Sequence, residues 1–159
     1  RLTFDGRAYR RFGDGDGVVL AARLQGGAIA GSDALDVPRD ELFYSGGGGT
    51  VRGQPYQSLG VTVSDGVNPD YGIGGTQFLA GSFEVRTRVT QKIGLVGFLD
   101  AGYVAATGAF SGPGNWHSGA GLGLRYDTGF GPIRGDIAGP LGGDTGDGAQ
   151  IYVGLGQAV

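Results

Sequence analysis

The side chains able to do chemistry are sparse in this 159-residue chain, and their spacing narrows what they can do. Glu84 and Asp100 are two carboxylates that could serve as the acid and base of a hydrolase. Arginines in the same alternating phase remove the need for a shared proton, which disfavours that use. His117 is the single histidine and no cysteine exists, so neither a thiolate or histidine metal set nor a Cys–His nucleophile pair can be assembled. The run Gly46–Gly49 lacks the Gly-Lys-Ser/Thr that completes a phosphate cradle. Asp14/Asp16 and Asp144/Asp147 sit among glycines, a hint of calcium, but neither pair belongs to a full ligand loop and both read as ordinary turns. No cofactor, no metal and no enzymatic activity are expected.

Composition narrows the class further. There are 37 glycines but only 6 prolines, and the glycines do not fall on every third position, which excludes collagen. Apolar residues make up 40% against a net charge of −3, so the chain can bury enough surface to fold. A pI near 4.9 with no basic block argues against nucleic acid as a partner. No window of 18 apolar residues exists, so a membrane-crossing helix is excluded. A transmembrane barrel is not, because its strands cross with only about 9 to 11 alternating residues.

The elements that must position the charges follow from a period of two. Strands are expected at Leu2–Phe12, Val18–Ile29, Gln77–Val89, Ile93–Val104, Trp116–Asp127, Ile133–Pro140 and Ala149–Gln157. In each, apolar residues such as Leu79, Phe83 and Val85 alternate with polar ones such as Ser82, Glu84 and Arg86. Asp5, Arg7, Arg23, Arg88, Asp100, Arg125, Asp127, Arg134 and Asp136 also lie opposite the apolar sets. Both signs occur, so these charges can pair across strands. In a lipid setting they would have to face inward, since a charge exposed at the bilayer midplane costs about 2–4 kcal/mol.

Between about residues 30 and 76 the alternation fails. This stretch is far longer than a normal connection and carries Leu42-Phe43-Tyr44 and Tyr56, which need somewhere to pack. A loop folded into a cavity meets both requirements. The other connections alternate between tight turns, at Gly13–Gly17, Thr90–Lys92 and Thr128–Gly131, and longer loops, the pattern of an outer-membrane barrel. Trp116 and Tyr126 stand at opposite ends of one strand, as members of two aromatic girdles would. An odd count of seven strands, with the first starting at Leu2, leads to the expectation that residues 1–159 are the C-terminal portion of a larger barrel whose other strands lie upstream.

An ordered series of short motifs agrees. It runs Phe43-Tyr44-Ser45-Gly46-Gly47, Val51-Arg52-Gly53, Tyr56-Gln57-Ser58-Leu59-Gly60, Ser82-Phe83-Glu84 and Phe98-Leu99-Asp100-Ala101-Gly102. It continues with Gly119 to Tyr126, Phe130 to Ala138, and Tyr152-Val153-Gly154-Leu155-Gly156-Gln157. In this order and spacing the chain resembles the bacterial surface antigen family of outer-membrane assembly factors (BamA/TamA-like). Its Tyr-Gln-Ser-Leu-Gly segment and Gly-Leu-Gly ending are more similar to the translocation and assembly module branch.

The resemblance implies an all-β, antiparallel transmembrane barrel of 16-stranded type with a long loop folded inward. It implies that Arg52, between Val51 and Gly53, is clamped by Glu84 and Asp100, and that Tyr56 belongs to the same loop motif. Gln54 departs from the family's usual aromatic, so packing there is expected from Tyr56 or elsewhere. Val159 departs from the aromatic ending of many outer-membrane chains. Function would be insertion or secretion of β-barrel or autotransporter clients by strand templating at a lateral seam, with Gly154 and Gly156 marking a bendable seam strand. The implied setting is the bacterial outer membrane; the implied partners are its lipid, unfolded clients and an inner-membrane or periplasm-spanning component. A two-partner secretion transporter, a passive outer-membrane channel and a soluble ligand-binding β-domain remain the alternatives at this point.

Overall fold

The computed structural model describes residues 1–15, 17–63, 70–106, 115–143, 148–156 and 159. Its strands are β1 (Leu2–Phe12), β2 (Val18–Ala28), β3 (Val61–Val63), β4 (Tyr71–Ile73), β5 (Gln77–Arg88), β6 (Ile93–Ala105), β7 (Asn115–Thr128), β8 (Gly131–Gly142) and β9 (Gln150–Leu155). Seven of them form one antiparallel sheet in the order β1-β2-β5-β6-β7-β8-β9, β3 and β4 forming a separate pair between β2 and β5. The expected meander is therefore present, with helices absent from the described residues.

The alternation sets the two faces. On β5 to β9 the residues Leu79, Phe83, Val85, Leu95, Leu99, Leu122, Leu124, Ile137, Ile151, Val153 and Leu155 point away from the loop. Most of them are exposed: Leu122 is 68% accessible and Val153 79%. An apolar face so continuous is far larger than a monomeric soluble domain shows to water. The opposite, inner face carries Glu84, Asp100, Arg125 and Asp136, all buried. The chain between β2 and β5 reaches the three carboxylates through Arg52.

That connection differs from a structureless loop in one respect. β3 and β4 pair as a short hairpin, Val61 with Ile73 and Val63 with Tyr71. Three residues hold a single alternation, so no period could reveal them. Phe43 bridges Gly75, and Ser45 bridges Leu59, tying the loop to itself. Phe43, Val51 and Leu59 then bury against Phe78, Ala80 and Val104 on the inner face of β5 and β6. The Phe43 and Phe78 rings stack with centroids 6.0 Å apart. This apolar contact fixes the loop before any charge is considered.

The short connections all lie at one end of the sheet. In the β5–β6 turn the Thr90 hydroxyl accepts the N–H groups of Lys92 and Ile93 at 3.3 and 3.0 Å. In the β7–β8 turn the Thr128 hydroxyl donates to the Gly131 carbonyl at 2.5 Å. β9 is shorter than anticipated, six residues ending at Leu155. The backbone turns away there, with Gly156 at φ +85°. Gln157, the expected strand end, lies outside the described residues, as do Asp16, Asp144 and Asp147 of the two turn-aspartate pairs.

Candidate functional site

The site begins with what is missing from the strands. Gly102 of β6 and Gly119 of β7 present bare backbone on the inner face, and the loop lies directly on it. A Cβ on Gly119 would sit 1.9 Å from the Arg52 carbonyl oxygen, and one on Gly102 would sit 2.6 Å from Val51 Cγ2. Both distances are far inside van der Waals contact, so the loop can dock only because these positions lack side chains. Gly53 completes the approach from the loop side. It adopts φ +92°, favourable only for glycine, and lies against the Gly139 backbone of β8.

This approach delivers Arg52 to the charges on the sheet. Its guanidinium donates through Nε to Asp100 Oδ2 at 2.7 Å and through Nη2 to Asp100 Oδ1 at 2.9 Å, the bidentate fork that lysine cannot form. Its backbone N–H donates to the same Asp100 Oδ2 at 3.0 Å. Nη1 donates to Glu84 Oε1 at 2.6 Å. The guanidinium carbon lies 3.5 Å from the centroid of the Phe98 ring, a cation–π contact in a dry setting. Arg52 is 2% exposed, and Glu84 and Asp100 are fully buried.

A third carboxylate joins them. Asp136 of β8 lies 3.6 Å from Arg52 Nη1 and 3.7 Å from Arg134 Nη1, and it takes a short hydrogen bond from Arg125. Glu84 is likewise shared, its second oxygen accepting from Arg86 Nε at 2.8 Å. Four arginines thus face three carboxylates across β5 to β8. Burial works against the charged form of Arg52. The hydrogen bonds and charge of Asp100, then the charge and hydrogen bond of Glu84, outweigh it and raise this loop residue's pKa above the usual arginine value. It stays a cation throughout the physiological range.

The rest of the loop tip is held by neutral groups. Gln54 is fully buried, and its Nε2 donates to the carbonyls of Ser118 at 3.0 Å and Gly142 at 3.2 Å. That is where the β7–β8 register shifts, between Ser118 and Gly119. The glutamine therefore reaches carbonyls at the irregularity. Tyr152 of β9 accepts the Gly53 N–H at 3.0 Å and donates to the Gln54 carbonyl at 3.2 Å.

Residues 1–159, the whole chain, match the family model described as the Omp85 superfamily domain. The chain belongs to the Omp85 superfamily. Omp85 proteins are bacterial outer-membrane proteins that assemble or translocate other proteins, and they act as assembly factors and transporters rather than enzymes. The apolar outward face is accordingly the face of a membrane-embedded β-sheet. Along β7, Trp116 and Tyr126 are both exposed at its two ends. Ten residues separate them, about 33 Å along a strand. At the tilt of about 40° usual for outer-membrane barrels this spans about 25 Å of height, the thickness of their apolar band.

Of the residues anticipated for the site, Val51, Arg52, Gly53, Glu84 and Asp100 meet on the inner face. Tyr56 does not: it is 80% exposed, and Gln54 fills the buried position beside Gly53. Gly154 lies on β9 opposite Arg134, where a Cβ would come 3.0 Å from Arg134 Nε, so this glycine also makes room for an inner-face arginine. The sequence places Asp136 only among the charges opposite the apolar sets, Tyr152 only in a motif of the last strand, and Gln54 only as a departure whose packing Tyr56 or another residue would supply. Asp136 and Tyr152 do carry the inward phase of their strands, which was the available signal. Gln54 carried none.

Proposed function

We propose that this chain is the C-terminal part of an Omp85 barrel of the translocation and assembly module type, inserting or secreting β-barrel and autotransporter clients. The observation that carries this reading is the burial of Arg52 between Glu84 and Asp100. A loop anchored so specifically across the inner face is poorly suited to an open passive channel. In this account Arg52, Glu84 and Asp100 clamp the loop, holding the sheet in the shape that receives clients. The edge strand β9 is the seam: it is short, keeps only Ile151, Val153 and Leu155 toward lipid, and when the seam opens presents its outer backbone edge to a client strand. No covalent chemistry is involved, and the remaining partners are membrane lipid and a periplasm-spanning component.

The test is Arg52→Ala in the full-length protein in cells that depend on it. Strands still form, because their pairing does not involve the loop. Heat-modified gel mobility shifts toward a less stable barrel and client assembly falls. Unchanged mobility together with unchanged client assembly contradicts the proposed role of the clamp.

A further inference from the structure

The loop is anchored twice, and the second anchor stands on the edge strand. Arg52 reaches β5, β6 and β8, whereas the next residue, Gly53, gives its N–H to the hydroxyl of Tyr152 on β9. The same hydroxyl donates to the Gln54 carbonyl. Of the inward-phase residues on β9, Gln150, Tyr152 and Gly154, only Tyr152 carries an aromatic ring. That ring packs beside Val96, Phe98 and Ala138, and a Cβ on Gly48 would meet it at 3.1 Å. Phe98 is also the ring beneath the Arg52 guanidinium. In the ladder Tyr152 stands opposite Asp136, itself 3.6 Å from Arg52.

We propose that Tyr152 is a positioning residue that couples β9 to the Arg52 loop, so that freeing the loop loosens the edge strand and freeing the edge strand loosens the loop. This rests on the reading of β9 as the seam. β9 pairs with β8 over only six residues, with Gly156 N–H to the Pro132 carbonyl at 2.7 Å just beyond. Two hydrogen bonds to a single hydroxyl are a substantial addition to so short a ladder. Coupling of this kind is reciprocal by thermodynamic necessity. A device that opens the seam therefore also acts on the loop, without touching Arg52.

The experiment is amide hydrogen exchange on the full-length protein in lipid, comparing wild type, Tyr152→Phe, Arg52→Ala and the double variant. Phenylalanine keeps the ring and removes both hydrogen bonds. Tyr152→Phe is expected to speed exchange at the Gly53 amide about five- to tenfold. Arg52→Ala is expected to speed exchange of the β9 amides, and to do so much less when residue 152 is already phenylalanine. If Arg52→Ala leaves β9 exchange unchanged, or changes it equally in both backgrounds, the coupling is overturned. Asp100→Asn replaces Arg52→Ala should the latter fail to fold. Exchange does not report on clients. Lost coupling with client assembly still sensitive to Arg52 removes only this proposal, and the converse removes only the proposed function.

Discussion

Asp100 receives three N–H groups from one residue: the backbone amide, Nε and Nη2 of Arg52, at 3.0, 2.7 and 2.9 Å. Among the described residues it has no other hydrogen-bond donor, whereas Glu84 divides its oxygens between Arg52 and Arg86. Asp136 is shared more widely still, with Arg125, Arg134 and Arg52. Withdrawal of the loop would leave Glu84 and Asp136 still facing cations and Asp100 bare. An uncompensated buried carboxylate is the costly outcome.

Asp100→Asn should therefore be the more damaging of two conservative changes. It keeps the shape and removes the charge behind three bonds, at a cost of about 2 kcal/mol or more. Glu84→Gln should cost less, since it weakens one bond to Arg52 and one to the less buried Arg86 against the three at Asp100. Midpoints of heat-modified mobility in the full-length protein measure both. Equal midpoints would show that the two acids hold the loop alike.

Gly119→Ala tests docking without changing any charge. The new Cβ would fall 1.9 Å from the Arg52 carbonyl, so the loop must lift or the strand must bend. We expect protease sensitivity of the loop to rise and client assembly to fall, as for Arg52→Ala. A loop as protected as wild type would mean that the strand gives way and that the bare backbone is not required.

Much of this site was legible in the sequence because a period of two carries facing as well as element type. Glu84, Asp100, Arg125 and Asp136 share the inward phase, and Leu79, Phe83 and Leu122 the outward one, as their burial shows. The family resemblance then implied Arg52 against Glu84 and Asp100, a contact between a loop and two strands that no local spacing could supply. The hairpin of β3 and β4 was hidden by its length. The burial of Gln54 was hidden for another reason: its partners are main-chain carbonyls at a register shift, which leave no trace in residue type. The glycines of β6 and β7 were visible as residues, but their purpose, bare backbone for a docked loop, needs the third dimension.

The outward face makes a separate prediction. Leu122 lies near the middle of β7 between Trp116 and Tyr126 and is exposed on the apolar face. Leu122→Arg should reduce membrane stability by about 2–4 kcal/mol, while a change at the strand ends should cost about 0–1 kcal/mol. Folding into lipid vesicles in denaturant titrations reads the difference. Equal costs at both depths would mean that this face does not sit across a bilayer.

If clients are received at the edge of β9, a reversible lock across that edge must stop their assembly. Cysteines are placed in the full-length barrel on β9 and on the strand facing it across the seam; residues 1–159 contain none, and any elsewhere in the full-length protein is first replaced by serine. Client assembly is then measured with the disulfide formed and again after reduction. The locked protein should stop assembling clients, and reduction should restore the rate. A locked protein that assembles clients as fast as the reduced one would contradict reception at that edge.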